Sequence, residues 1–140
     1  MISRSNPGLD YIPAEKFGYS LIVSAGDLLF VSGVAPLRGR DDLKVVGAGD
    51  LKAQCSYILE ILDQKLKAGG SSRERVVSWT VYLVDRDRPA EIGSKWREIF
   101  PLLQDWAGPH NMPAATAVGV ASLFVPEQMI EIEAIATVGK

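Results

Sequence analysis

Two short apolar segments near the start of the chain predict a β-hairpin. They cover residues 19–23 and 28–31, and the Gly26-Asp27 pair lies in the segment that joins them. Short apolar runs on either side of a Gly-Asp turn are typical of antiparallel strands. We expect the second strand to end in residues 32–36, and a third short strand to lie near Val45-Val46.

The clearest pattern predicts a helix that begins at Leu51. Its apolar residues recur at helical spacing and form one stripe: Leu51, Cys55, Ile58, Leu59, Leu62 and Leu66. Asp50 stands at the N-cap position, where its carboxylate can accept hydrogen bonds from the first turn. Gly69-Gly70 is expected to end the helix in a left-handed conformation.

The next part of the chain predicts a strand over residues 76–84 and a second helix over about 88–100. In the strand, Val77, Trp79, Val81 and Leu83 are expected on one face, and Val76, Ser78, Thr80, Tyr82 and Val84 on the other. In the helix, Asp87 is the expected cap, Pro89 suits the first turn and Pro101 is expected to end it. Its apolar stripe is predicted to be Ile92, Trp96, Ile99 and Phe100.

Two further strands are predicted over residues 116–123 and 129–138, with a turn containing Pro126 between them. The order β-β-(β)-α-β-α-β-β indicates an α+β fold in which two helices cover one face of a mixed sheet. The second face of the 76–84 strand is too apolar for full exposure to water, so we expect another copy of the chain to cover it.

Length and composition fit one ordinary globular domain over residues 1–140, with 47% hydrophobic and 23% charged residues. The net charge is −2 and the basic residues are scattered, which argues against nucleic acid as a partner. The first residues have no signal-peptide pattern and no apolar run is long enough for a membrane helix. We therefore expect a cytoplasmic protein with no membrane partner.

We expect no metal and no cofactor. The chain has one histidine and one cysteine, which are far apart in sequence. Gly47 and Gly49 precede a helix, but the third glycine of a dinucleotide fingerprint would fall at Lys52. Cys55 lies on the apolar stripe of the first helix, so a small core residue is favoured over a nucleophile.

Several segments together resemble the RidA/YjgF (reactive-intermediate deaminase) superfamily. Residues 113–123 and 130–136, with the sequence Ile-Glu-Ile-Glu-Ala in the second, closely resemble its C-terminal signature. Residues 18–20, 29–33, 81–85 and 96–100 match other family segments in the expected order. The resemblance implies a chorismate mutase-like fold and a homotrimer with small-molecule clefts between subunits.

In this family the cleft promotes hydrolysis of a small enamine or imine acid to a keto acid and ammonia. An arginine binds the substrate carboxylate and a glutamate positions the attacking water. By resemblance, Glu131 is the catalytic glutamate of this chain, although an ordinary solvated strand carboxylate is the alternative. Tyr19 matches the cleft tyrosine, and its alternative is a half-buried packing residue. Ser32 and Gly33 match the segment whose backbone lines the cleft, and for Gly33 the alternative is a bend after the strand.

The chain departs from the family at Ala115, which occupies the position of the carboxylate-binding arginine. Alanine cannot bind a carboxylate, so we expect a different choice of substrate. Gly93 stands where the family often has asparagine, and the turn over residues 124–129 is one residue longer than in common members.

His110 and Asn111 directly precede the signature and are further candidates for binding the substrate. His110 could supply part of the missing positive charge or exchange a proton near neutral pH; an exposed loop histidine is the simpler interpretation. Arg38 and Arg40 could reach a ligand or be solvated loop residues.

Two functions of different kind stay open at this point. The first is hydrolytic deamination of an enamine, an imine or a related nitrogen-containing metabolite, with Glu131 directing water. The second is a non-catalytic trimer that binds a metabolite or serves as a scaffold. RNA cleavage, which is attached to the family name, is disfavoured by the negative charge and the absence of a basic patch.

Overall fold

The computed structural model describes residues 1–7, 11–85 and 92–139. Over these ranges the chain alternates strands and helices as an α+β protein. The elements in chain order are β1 (Ile2–Ser5), α1 (Ala14–Phe17), β2 (Ile22–Ala25), β3 (Leu28–Val34), β4 (Leu37–Arg38), β5 (Lys44–Val45), α2 (Leu51–Ala68), β6 (Val76–Val84), α3 (Ile92–Ala107), β7 (Ala114–Val120) and β8 (Ile130–Thr137).

Among the described residues, six strands form one mixed sheet in the order β1-β2-β3-β8-β6-β7. Neighbouring strands are antiparallel except β6 and β7, which are parallel and are connected through α3. Helices α2 and α3 pack against each other and against the sheet, and the hydrophobic core lies between them. The predicted fold class, a mixed sheet with two helices on one face, is confirmed.

The N-terminal part contains the predicted hairpin and three elements that the sequence did not indicate: β1, α1 and the two-residue strand β4. Strands β2 and β3 pair with Ile22 opposite Val31, and Gly26 adopts a positive φ of 59° in the turn. The third short strand is present as β5, which pairs with β4. Strand β1 and helix α1 were not predicted, because all four residues of β1 are exposed and α1 is a single turn.

Helix α2 has the boundaries that its capping residues indicate. The Asp50 side chain accepts a hydrogen bond from the Ala53 N–H at 3.0 Å, an interaction that contributes about 1 kcal/mol. At the other end Gly70 takes a φ of 80°. The Ser71 N–H donates to the Leu66 carbonyl at 2.8 Å and the Gly70 N–H to Lys67 at 3.1 Å, which is a Schellman motif.

The prediction that α3 ends at Pro101 is wrong. The helix runs through Pro101 to Ala107, and the extra turns bury Leu103 and Ala107 completely or nearly so. They also bring Trp106 against Trp79, with ring centroids 5.8 Å apart. This burial offsets the loss of one backbone hydrogen bond, which costs about 3 kcal/mol in a helix interior.

Phe100 is also not part of the buried stripe of α3, because the helix turns it outward and leaves it 40% exposed. The buried positions follow Ile99, Leu103 and Ala107, which are four residues apart and lie on one side. The expected beginning of this helix near Arg88, with Asp87 and Pro89, lies outside the described residues.

Strand β6 covers the predicted residues, but the predicted faces of its first two residues are exchanged. The β6–β8 register shifts between Val76 and Ser78, which indicates a β-bulge. Val76 is therefore opposite Ala136 and is buried in the core, whereas Val77 is 46% exposed. From Ser78 to Leu83 the expected alternation holds, with Trp79, Val81 and Leu83 buried, whereas Val84, expected on the other face, is also buried.

The sheet face opposite the helices retains large apolar side chains. Phe30 is 41% exposed and Leu28 is 39% exposed. Both point away from the core, because the alternate residues Leu29 and Val31 of the same strand are buried. Covering of this face by further copies of the chain remains a prediction. Within the described ranges, no helix has the length and hydropathy that crossing a membrane requires.

Candidate functional site

A cavity of about 250 Å³ lies where the ends of β3 and β8 meet the N-terminal segment. Most of its wall is apolar or aromatic: Ile12, Phe17, Tyr19, Ala35, Leu37 and Phe124. Its polar groups come from Ser32, Gly33 and Glu131. An apolar cleft with a few convergent polar groups is typical of a small-molecule site.

The structure brings together four residues that the sequence assigned to one site: Tyr19, Ser32, Gly33 and Glu131. Glu131 lies on β8 next to the buried Ile130 and Ile132, so the alternation of the strand directs its carboxylate away from the core. Tyr19 is half-buried at the end of the segment that enters β2. Burial, and to a smaller degree the charge of Glu131, raises the pKa of the Tyr19 phenol to about 12. Tyr19 therefore presents a neutral hydroxyl, which can donate a hydrogen bond.

Gly33 allows the Glu131 side chain to pass directly over the backbone of β3. The β3–β8 register shifts between Val31 and Val34, so β3 carries an extra residue at this point. A Cβ atom on residue 33 would overlap Oε2 of Glu131 and would lie 2.9 Å from its Cδ. Glycine leaves room for this close approach of the Glu131 side chain, whereas a role of Gly33 in contacting a ligand stays a prediction.

Gln128 fixes the orientation of the Glu131 carboxylate. Its Nε2 donates to Oε1 of Glu131 at 3.0 Å and to the Ile130 carbonyl at 3.1 Å. Its Oε1 accepts from the Phe124 N–H at 3.1 Å, so the amide cannot be reversed without losing all three bonds. Gln128 is fully buried. The carboxylate therefore has one oxygen held by Gln128 and the other directed over Gly33.

The turn that carries Gln128 is anchored to helix α2 by Gln54. The Gln54 amide accepts from the Met129 N–H at 2.8 Å and donates to the Glu127 and Gly47 carbonyls at 3.0 and 3.2 Å. This side chain is fully buried. Two buried glutamines thus hold the turn over residues 124–129 in place.

Ala115, His110 and Asn111 do not line this cavity within one chain. All three are exposed. Ala115 lies on β7 opposite Trp79, whereas Glu131 lies on β8 opposite Tyr82, so strand β6 separates them. Their predicted place in the same cleft would require a neighbouring copy of the chain.

Arg38 and Arg40 are also not among the residues that line the cavity. Arg40 forms an ion pair with Glu15 at 2.7 Å, and both side chains are largely exposed. Arg38 is an exposed residue of β4, next to Leu37, which does line the cavity.

A second hollow, of about 320 Å³, lies on the open face of the sheet. It contains Phe30, Ser78, Thr80 and Glu133. The Glu133 carboxylate accepts a hydrogen bond from the Tyr82 hydroxyl at 2.6 Å, and this bond raises the Tyr82 pKa. Glu133 is therefore engaged on the open face, whereas Glu131, two residues before it, borders the cavity beside Gly33.

Cys55 is a core residue, as expected. It is fully buried in α2, and burial raises the pKa of its thiol to about 12. A thiol in this environment is not a nucleophile at neutral pH.

Several residues of the site were not identified from the sequence. Gln54 and Gln128 carry no motif, and a glutamine in a turn or on a helix is usually solvated. Lys65 offered a clearer signal, because it falls on the apolar stripe of α2, three residues after Leu62 and seven after Ile58. A lysine at such a position indicates a buried amine.

Comparisons with known proteins agree with this fold and identify the family. The family model Endoribonuclease L-PSP matches residues 12–138. A RutC family protein of Pyrococcus horikoshii is 35% identical over 118 residues, which cover 84% of this chain and 85% of the relative. The 3-aminoacrylate deaminase RutC of Acinetobacter baylyi is 33% identical over 133 residues, covering 94% and 90%.

Solved structures show the same architecture. The crystal structure of Rv2704 of Mycobacterium tuberculosis, a member of the YjgF/YER057c/UK114 family, superposes with a TM-score of 0.75 at 27% identity and covers 99% of this chain and 100% of that one. The fold and the cavity define a small α+β protein with an apolar cavity at one end of a mixed sheet. The chain belongs to the Endoribonuclease L-PSP family, which is the RidA/YjgF superfamily that its motifs resemble.

Proposed function

We propose that the chain is a RidA-like hydrolase that converts a small imine or enamine to a carbonyl compound and ammonia. The observation that carries the proposal is the Glu131 carboxylate, held by Gln128 and directed over Gly33 at an apolar cavity. A relative that is 33% identical over nearly the whole chain is a 3-aminoacrylate deaminase.

The reaction requires little chemistry from the protein. Glu131 accepts a proton from water as the water oxygen adds to the carbon of the protonated imine, which gives a neutral carbinolamine. The same group returns that proton to the amino nitrogen, the C–N bond breaks as the hydroxyl oxygen forms the carbonyl, and the hydroxyl proton passes to the released ammonia, which leaves as ammonium. Such positioned proton transfer contributes about 10²–10⁴-fold to the rate. An enamine substrate first takes a proton on carbon to become the imine.

We propose further that three copies assemble and that each cleft includes residues of a neighbour. The support is the open sheet face with Phe30 and Leu28, together with the exposed positions of Ala115, His110 and Asn111 away from Glu131. In such an assembly the partners of the chain are its own copies and a small-molecule metabolite.

Ala115 sets the expected choice of substrate. Each hydrogen bond to a charged partner contributes about 1.5–3 kcal/mol, so the loss of a two-bond arginine fork weakens binding of a carboxylate by roughly two to four orders of magnitude. We therefore propose that simple 2-imino acids are poor substrates and that an imine recognised by other groups is preferred.

The test is to generate 2-iminopropanoate and 2-iminobutanoate enzymatically in situ and to follow their hydrolysis with the wild type and with Ala115→Arg. We expect weak activity from the wild type and a gain in Ala115→Arg, because the carboxylate fork is restored beside an intact Glu131. High wild-type activity would contradict the importance given to residue 115. Inactivity of both proteins would contradict imine hydrolysis and would favour the non-catalytic binding or scaffold function.

A further inference from the structure

Lys65 is a buried lysine that the proposed mechanism does not use. Its side chain is fully buried on the inner side of α2. Among the described residues, its Nζ has no hydrogen-bond partner. Buried lysines are rare unless they are paired, because transfer of an ammonium from water into the protein interior is strongly unfavourable. We therefore expect an interaction that stabilises the Lys65 ammonium on the apolar stripe of α2.

The surroundings place the Lys65 amine behind the wall of the cavity. Nζ lies 4.4 Å from the centroid of the Tyr11 ring, a cation–π distance. The Tyr11 hydroxyl oxygen accepts a hydrogen bond from the Ala35 N–H at 2.7 Å, and Ala35 lines the cavity. Tyr11 is itself 3% exposed, so it links the amine to a residue of the cavity wall as a fixed, buried spacer.

The charges of Lys65 and Glu131 interact across this spacer. Burial lowers the pKa of Lys65 to about 7, and the negative charge of Glu131 opposes that change. Burial raises the pKa of Tyr11 well above its usual value, so the Tyr11 ring stays neutral. The Lys65 ammonium and the Glu131 carboxylate therefore attract each other in a buried, otherwise uncharged environment.

We infer that Lys65 is a positioning residue for the Glu131 site: its ammonium, held over the Tyr11 ring behind the cavity wall, stabilises the carboxylate that directs water. The chain has alanine at position 115, and Lys65 supplies a positive charge close to the site from inside the same subunit. The catalytic consequence of this inference rests on the proposed function, whereas the Lys65–Glu131 interaction does not.

The interaction is tested by NMR titration of the Lys65 side chain with labelled lysine, in the wild type, in Glu131→Gln and in Glu133→Gln. We expect the Lys65 titration to move to lower pH by roughly one unit in Glu131→Gln, since the opposing charge is lost. Glu133→Gln removes the next carboxylate of the same strand and should leave it unchanged. An unchanged Lys65 titration in Glu131→Gln would overturn the inference, even if the wild type hydrolyses imines.

The catalytic consequence is tested with Lys65→Met, which keeps the volume and removes the charge, and with Lys67→Met as the control. Lys67 lies on the same helix, is largely exposed and pairs with Asp63 at 2.9 Å. We expect Lys65→Met to lower kcat/KM for imine hydrolysis about tenfold, a part of the general-base contribution, while its melting temperature equals or exceeds that of the wild type. Lys67→Met should retain wild-type kcat/KM.

Lys65→Met with unchanged kcat/KM would overturn the positioning role and would make Lys65 a structural residue only. If the wild type has no hydrolytic activity, the proposed function fails and the titration alone decides the inference. A Lys65 titration that responds to Glu131→Gln then still supports it, and one that does not overturns it.

Discussion

At the scale of single residues, the position of the Glu131 carboxylate depends on neighbours that take no part in chemistry. Gly33 leaves room for the side chain and Gln128 determines which oxygen faces the cavity. Gln128 also satisfies the Phe124 N–H and the Ile130 carbonyl, so its position is fixed by three bonds. A carboxylate held in this way loses little freedom when it binds water, which is the advantage of a preorganised site.

Gly33→Ala tests this preorganisation. The added methyl group would overlap Oε2 of Glu131, so the carboxylate must leave its place over β3. We expect imine hydrolysis to fall by about 10²-fold, because displacement of a catalytic group by about 1 Å has effects of this size. The measurement is kcat/KM together with the melting temperature.

Gly93→Ala is the matched control for this substitution. Gly93 lies on α3, where an added Cβ would meet Arg97 at 3.6 Å, an ordinary contact, and where alanine favours the helix. This variant should keep wild-type activity. Equal activity of Gly33→Ala and Gly93→Ala would show that the close approach to Glu131 has no catalytic value.

At the scale of elements, the sequence pattern predicted those parts of the chain whose burial alternates in a simple way. The boundaries of α2 followed from Asp50 and Gly70, and residues 76–84 formed β6 as predicted. Each error has a physical cause. A bulge exchanged Val76 and Val77 between faces, and tertiary contacts of Trp106 carried α3 through Pro101.

The candidate site was predictable from sequence only in part, for a physical reason. Glu131, Tyr19, Ser32 and Gly33 lie in motifs, and the structure brings them together at one cavity. The residues that support them are Gln128, Gln54 and Tyr11, whose roles depend on contacts between positions far apart in the chain. The Gln54–Met129 bond, for example, joins residues 75 positions apart.

Pro101→Ala tests the explanation for α3. The exposed proline lies inside the helix, where it removes a backbone hydrogen bond and its ring crowds the preceding turn. We expect the free energy of unfolding to rise by about 1–3 kcal/mol, less than or equal to the full difference between proline and alanine in a helix interior. Urea denaturation measures this change.

The control is Glu98→Ala, an exposed change on the same helix that should alter stability by about 0.5 kcal/mol or less. If Pro101→Ala is no more stable than the wild type, proline does not destabilise the helix at this position, and the explanation given for α3 is wrong.

At the scale of the whole molecule, the sheet has one face covered by helices and one face that retains apolar groups. Phe30, Leu28 and Val77 remain 39–46% exposed on a single chain. Apolar side chains next to one another on a sheet mark an interaction surface. The exposed positions of Ala115 on β7 and of His110 in the turn before β7 fit an assembly in which each copy completes the cleft of another.

Phe30→Glu tests the assembly. For a wild-type trimer we expect a mass of about 46 kDa, three times the 15.2 kDa of one chain. Light scattering coupled to size exclusion measures this mass. We expect Phe30→Glu to shift the mass toward that of a single chain, because a charge would be buried without a partner at the interface. Phe100→Glu is the matched control, since Phe100 is equally exposed but lies on helix α3. A monomeric wild type, or equal effects of both variants, would contradict association through the open face.

The most direct test of the proposed function compares Glu131→Gln with Glu133→Gln. Both substitutions remove one carboxylate from β8, but only Glu131 borders the cavity. The measurement is the rate of ammonia release from the imine that the wild type hydrolyses best. We predict a loss of about 10²-fold or more in Glu131→Gln and a rate within a few-fold of wild type in Glu133→Gln. If Glu131→Gln releases ammonia at the wild-type rate, or if both variants lose activity equally, Glu131 is not the residue that directs water.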